Sequence, residues 1–201
     1  PAKAGFYQYQ LPLLVTDWRS RWNEELPFAW AQLPNFSGGG RDWPTVREAM
    51  LKTLELPNTG MGINIDIGEL NDIHPRNKQD VGKRLAYWAL GSVYGKEVAA
   101  TSGPLPAGDE VRGKEIVLQF RHTNQGLLAQ KGELTGFIIA GEDRVWHPAN
   151  ARIDGDQVIV SSPQVPKPMA VGSAWGNAPQ SKLFNGAGLP ASPLRTHDLE
   201  K

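Results

Sequence analysis

Apolar residues recur along the first half of the chain with two different periods. Leu11, Leu14, Val15, Trp18 and Trp22 follow one another at helical spacing. So do Val46, Ala49, Met50, Thr53 and Leu54, with Pro44 tolerated in the first turn, and Val81, Leu85, Trp88, Ala89 and Val93, with Gly95 as the stop. Between these stripes lie two short continuous apolar runs, PFAWAQL at 27–33 and MGINIDIG at 61–68. Runs of that kind read as strands buried on both faces. The order helix, strand, helix, strand, helix predicts an α/β arrangement with a parallel sheet and right-handed crossovers.

After residue 100 the helical period disappears. EIVLQF alternates Ile116, Leu118 and Phe120 on one face, and LTGFIIAG, QVIVSS and PMAVGSAW follow at short intervals. Asp154-Gly155 reads as a tight hairpin turn, because few residues accept a positive φ cheaply. This half is predicted to be antiparallel β, a small sandwich or jelly roll. The Pro-rich tail GLPASPLRTHDLEK is expected to run irregularly over the surface. The expected division is an α/β part over 1–97 and an antiparallel β domain over 98–201.

Two buried-type parallel strands do not make a sheet. Doubly wound sheets have more strands and helices on both faces. A lone pair leaves ladder edges and apolar helix faces uncovered. The missing strands are expected from residues upstream of Pro1 or from another chain. The sequence of 201 residues opens at Pro1 without a methionine or a signal peptide, which reads as a processed chain or a fragment.

Composition narrows the chemistry. The formal net charge is zero and Lys and Arg are scattered, so nothing favours a nucleic-acid partner. No apolar run approaches the roughly 20 residues that span a bilayer. With no cysteine, disulfides, thiolate metal sites and a cysteine nucleophile are excluded. Seven tryptophans are many for this length; core packing accounts for most, and sugar-facing clefts also use such rings.

The candidate chemistry sits in NDIHPRNKQDVG, residues 71–82. It follows the second strand run and precedes the third helix, where open α/β sheets gather reacting groups. Asp72 is close enough to His74 for its carboxylate to reach one imidazole nitrogen, fix the tautomer and stabilise an imidazolium. Pro75 biases His74 away from helical φ/ψ. The plainer reading is a helix start with Asp72 as a cap or turn residue. PNFSGGGRDW, residues 34–43, is a glycine-rich loop after the first strand run. It has no lysine and Ser/Thr at phosphate-cradle positions, which makes it a loop at a substrate entrance or an ordinary connection. Asn35, Phe36 and Trp43 are the candidates there for touching sugar. Arg76 is either a solvated helix-start charge or the partner of an anionic substrate. His122, His147 and His197 show no metal-ligand spacing.

PNTGMGINIDIGELNDIHPRNKQDVGKRLAYWAL resembles the C-terminal catalytic block of sialate O-acetylesterase-like enzymes, a branch of the SGNH hydrolases. YQYQLPLLVTDWRSRW and PFAWAQLPNF are similar to the segments before it. GELTGFIIAGED, VIVSSPQV, AVGSAW and LPASPLRT resemble the family's C-terminal β domain, so the likeness runs over essentially the whole chain. The resemblance implies the C-terminal part of a flavodoxin-like, three-layer α/β/α hydrolase followed by a small antiparallel β domain. It implies a serine-type O-acetylesterase acting on acetylated carbohydrate, with no metal or organic cofactor, secreted or periplasmic. It carries the base onto His74. The acid is less direct: many members place it three residues before the histidine, where this chain has Asn71. Asp72 is the nearest carboxylate, with Asp66 and Glu69 as alternatives.

No nucleophile block is present. There is no G-x-S-x-G elbow, and no Gly-Asp-Ser or Gly-Gln-Ser-Asn stretch. Ser37, Ser102, Ser161, Ser162, Ser173 and Ser192 read as structural. The expected partner is therefore an N-terminal segment of the same protein carrying the serine and oxyanion donors, without which the chain is expected to be inactive. The alternative is a non-catalytic carbohydrate- or protein-binding module.

Overall fold

The computed structural model describes residues 3–40, 42–130 and 132–199. It is a mixed α/β structure with few helices and several antiparallel sheets. The chain divides into two units. Residues 1–102 with Gly176–Ala178 form the first, and Gly103–Trp175 with residues 179–201 form the second. The division thus falls after Ser102 rather than after residue 97, and a three-residue return of the later chain counts with the first unit.

In the first unit α1 (Tyr7–Trp22), β1 (Phe28–Ala31), α2 (Trp43–Lys52), β2 (Thr59–Gly62) and α3 (Lys78–Trp88) follow in the predicted order. β1 and β2 pair in parallel, Phe28 opposite Thr59 and Ala31 opposite Gly62. Helix α1 starts four residues earlier than its stripe and runs through Pro12, which removes one N–H from the helix ladder. It ends at Asn23 in the left-handed region, φ 49°, a conformation that asparagine tolerates better than most residues. Helix α3 is capped by Asn77, whose side chain accepts the Asp80 amide at 3.1 Å. It closes in a wider turn over Ala89–Val93. Gly60 is a site of close approach, since a Cβ there would lie 2.3 Å from the Trp88 ring.

Two expectations for this unit need correcting. β1 is not buried on both faces: Phe28 and Trp30 are half-buried while Ala29 and Ala31 are exposed. The α1 stripe is largely uncovered, as expected for a lone strand pair: Val15 alone of it is buried. Leu14, Trp18 and Trp22 stand 49%, 48% and 63% exposed, with the two indoles stacked at 6.3 Å. Residues at i, i+4 and i+8 share one helix face. That face is apolar and uncovered. The second run also differs in extent. The strand ends at Gly62, and Ile63, Asn64 and Ile65 continue as buried, unpaired chain.

The second unit holds β3 (Leu105–Arg112), β4 (Glu115–Arg121), β5 (Leu127–Ala129), β6 (Phe137–Gly141), β7 (Trp146–Pro148), β8 (Asn150–Asp154), β9 (Gln157–Ser161), β10 (Pro168–Ser173), β11 (Leu183–Asn185) and β12 (Leu194–Arg195). One antiparallel sheet has the order β3-β4-β9-β8 and another β12-β10-β6-β7, with β11 and β5 as a separate pair. Ile116 and Leu118 of the first sheet share a core with Phe137, Ile139 and Val171 of the second. The inward positions of two sheets thus bury one another, as in a sandwich. The β8–β9 hairpin pairs Asp154 with Gln157, so its turn residues are Gly155 and Asp156, one position later than expected. Gly155 takes the positive φ of 59°. The tail is a second correction: Leu189, Ala191, Ser192 and Leu194 are buried, and β12 pairs with β10. No helix among the described residues is long and apolar enough to cross a membrane.

Candidate active site

Because β1 and β2 run parallel, the loops after them leave from the same end of the sheet. These begin with residues 32–40 and 63–77, and polar contacts join them. The Gln32 amide donates to Gly62 O at 2.8 Å, and Asn64 Nδ2 donates to Gln32 O at 3.2 Å. Further out, the Ser37 amide donates to Leu70 O at 2.9 Å. Gly68 lies against Asn35 so closely that a Cβ would sit 2.2 Å from Asn35 O and Oδ1. Only glycine allows that approach.

Each loop is held from beneath by a buried arginine. Arg84 of α3 donates from Nη1 and Nη2 to Asp66 Oδ1 and Oδ2 at 2.7 Å each, and from Nη1 also to Ile63 O. The pair is largely withdrawn from water, with side chains 9% and 18% exposed. Arg47 of α2 is fully buried, and no carboxylate pairs with it among the described residues. Its guanidinium donates instead to four carbonyls: Leu33 O at 3.0 Å, Pro34 O at 2.6 Å, Gly176 O at 2.5 Å and Asn177 O at 2.7 Å. Burial pushes its pKa down to about 10, so it remains charged at neutral pH. The Phe36 amide in turn donates to Asn177 O at 3.0 Å.

His74 projects from the second loop with its side chain 83% exposed, and Pro75 behind it is buried. Asp72 makes two contacts with it. Oδ1 accepts the His74 amide at 2.8 Å and stands 3.5 Å from Nδ1. The first contact is a turn-forming bond. The second is longer than a good hydrogen bond and short enough for charge attraction. The His74 amide bond, followed by the charge of the imidazolium and Arg76, holds the Asp72 carboxyl below the usual range. The other carboxylates of the loop are occupied. Asp66 is taken by Arg84, and Glu69 accepts the Arg76 amide at 3.0 Å and faces its Nε at 3.7 Å.

The structure therefore brings Asp72 and His74 together and ties Arg76 back to Glu69. Asn35 is joined to the same region through Gly68. Phe36 and Trp43 pack edge to face with centroids 5.7 Å apart. Trp43 is itself buried, and its indole N–H is held by Pro34 O at 2.8 Å, so its ring supports Phe36 from below. Among the described residues no hydrogen bond or ion pair joins His74 to Asn35, Phe36 or Trp43. Ser162, Ser173 and Ser192 are buried in the β unit. Among the described residues no group of three or more His, Asp and Glu is placed to hold a metal ion. The two arginines and Gly68 went unnoticed in the sequence. The signal for the arginines is positional: Trp43, Val46, Arg47 and Met50 occupy i, i+3, i+4 and i+7, as do Val81, Arg84, Leu85 and Trp88. A charge set inside an apolar stripe is a buried charge with a partner to find.

No family model matches the chain. Among curated proteins it is 25% identical over 177 residues to the sialate O-acetylesterase of Mus musculus, covering 77% of this chain and 33% of that protein. It is 27% identical over 167 residues to that of Homo sapiens, covering 72% of this chain and 32% of that protein. Among solved structures it matches a carbohydrate acetylesterase from Xanthomonas citri at 42% identity with a TM-score of 0.90, over 95% of this chain and 46% of the other. The chain thus spans about a third of the curated relatives it matches and under half of the solved one. By sequence this chain is sialate O-acetylesterase-like, and by fold it is like a carbohydrate acetylesterase, along a part of those enzymes' length.

Proposed function

We propose that this chain belongs to a serine-type O-acetylesterase that removes acetyl groups from carbohydrate, sialic acid or acetylated polysaccharide, outside the cytoplasm. The α/β unit corresponds to the later part of a flavodoxin-like SGNH domain. A complementary segment of the same protein supplies further parallel strands, the serine and the oxyanion donors. The observation that carries the reading is the solvent-open imidazole of His74, set on Asp72 in the loop beyond the carboxyl end of β2.

In the complete enzyme, meaning this chain together with that segment, His74 takes the serine proton as the oxygen attacks the acetyl carbonyl. The C–O bond to the sugar then breaks, and the imidazolium returns the proton to the sugar oxygen. Water attacks the acetyl-serine with His74 again accepting a proton, the bond from acyl carbon to serine oxygen breaks, the imidazolium returns the proton to that oxygen, and acetate leaves. Asp72 holds Nδ1 and favours the charged ring. Asn35 and Phe36 are the sugar-facing candidates, with Trp43 as support for the ring of Phe36. Arg76, its side chain 88% exposed beside Glu69, is the candidate to meet a substrate carboxylate.

Support for the complementary segment comes from the uncovered surface of the first unit. The exposed Leu14, Trp18 and Trp22 face and the open face of β1 are what further strands and helices would bury. The second unit has an open groove of about 630 Å³ lined by Leu134, Asn150 and Arg152. Its aromatic lining residue, Phe137, is buried, so a sugar platform for the binding-module reading is not favoured there.

The test is direct. This chain alone, given p-nitrophenyl acetate and O-acetylated sialic acid, should release acetate no faster than buffer, whereas the complete enzyme should turn over. Steady turnover by the chain alone would place the nucleophile within it and end this reading.

A further inference from the structure

Arg47 has no role in the chemistry just described, yet it is a fully buried cation bonded only to carbonyl groups. A buried charge without a carboxylate is costly unless its donors are well used. Here the donors are divided between two stretches of backbone. Leu33 and Pro34 lead directly into Asn35 and Phe36. Gly176 and Asn177 form the strip on which the Phe36 amide rests at 3.0 Å. The same loop then reaches the His74 loop through the Ser37 amide on Leu70 O and through the contact of Asn35 with Gly68. A planar fork with five donors can serve these four carbonyls on two stretches of backbone at once, whereas a lysine ammonium has three donors at one point.

We infer that Arg47 is a positioning residue that sets the Asn35–Ser37 loop against the His74 loop, and so places the sugar portion of an O-acetyl ester over the imidazole. The inference rests on the esterase reading for its substrate and on the hydrogen bonds alone for its geometry. It predicts a selective defect. An acetyl ester without a sugar needs the acyl site only, whereas a sugar ester also needs the loop.

The experiment uses the complete enzyme, its Arg47→Lys variant and its Gly68→Ala variant. The alanine at 68 forces the loops apart from the other side and leaves Arg47 in place. Amide hydrogen exchange at Phe36 and Ser37 should accelerate about tenfold or more in the folded Arg47→Lys protein, as expected for a locally opened segment. The ratio of kcat/KM for O-acetylated sialic acid to that for p-nitrophenyl acetate should fall about 10- to 100-fold in both variants, with KM for the sugar ester rising. A merely structural role lowers both substrates alike and leaves the ratio where it was, which would overturn the inference. So would unchanged exchange at both amides. Should Arg47→Lys fail to fold, Gly68→Ala decides by the same ratio. If the parent enzyme hydrolyses neither ester, the esterase reading fails and takes the substrate part with it, while the exchange rates still decide whether Arg47 clamps the loop.

Discussion

Replacing His74 by alanine should lower kcat for acetate release by the complete enzyme about 10²- to 10⁴-fold, the range a positioned general acid–base contributes. The same change should leave stability almost untouched. The ring is 83% exposed and its one ion-pair partner among the described residues is Asp72, so removing it opens no cavity and strands no buried group. Exposed substitutions of this kind stay within about 0.5 kcal/mol. A urea melt that coincides with the parent's, beside a large fall in kcat, separates loss of chemistry from loss of fold. Asp72→Asn sharpens the assignment. An asparagine Oδ1 can still accept the His74 amide and keep the turn, but it no longer offers a charge to Nδ1. Since Asp72 is half exposed and screened by water, the expected loss is about 3- to 30-fold, well short of that at a buried triad acid. A His74→Ala enzyme with undiminished turnover on both aryl and sugar acetates would remove the imidazole from the mechanism.

Much of the organisation was legible because it depends on local periodicity. The order helix, strand, helix, strand, helix and the change to antiparallel β after residue 100 both follow from where apolar side chains recur. What escaped depends on tertiary context. The stripe of α1 was readable, and a lone strand pair was expected to leave apolar helix faces open; that the open face is the one with Trp18 and Trp22 had no local sign. Pro12 lies inside the helix although it removes one amide from the ladder, an override of propensity that sequence does not display. The prolines of the tail suggested an irregular surface path. Yet Leu189 is buried and Ala191 and Leu194 enter the β core, since apolar residues between prolines still bury when a sheet edge is available. At the candidate site, Asp72 and His74 are close in sequence and so were visible together. Arg47 with Asn177 and Arg84 with Asp66 are 130 and 18 residues apart and become partners only in the fold.

The second large effect concerns stability. Asp66→Ala should destabilise the protein by about 1–3 kcal/mol, the cost of leaving the buried Arg84 without the carboxylate that pairs with it from the surface side. Both carboxylate oxygens of Asp66 hold Arg84 at 2.7 Å, and the arginine side chain is 9% exposed, so water reaches the guanidinium only from the side that Asp66 now covers. Removing both partners tells whether the charge or the connection matters. In an Arg84→Met, Asp66→Leu double variant no charge is stranded, and much of the loss should return, because hydrophobic replacement of a buried pair is often close to neutral. The recovery should stop short of the parent, since Arg84 also donates to the Ile63 carbonyl and a buried acceptor left without a donor carries a penalty of its own. Urea denaturation of the parent, the single variant and the double variant measures these differences. Equal loss in single and double variants would mean that the stranded charge contributes little and that the bonds to backbone dominate. The measurement also bears on the site, because the buried segment fixed by Arg84 leads directly into the loop that carries His74. The double variant should therefore keep its fold yet lose more activity than stability: a neutral pair fills the space beneath the loop but no longer sets where the imidazole stands.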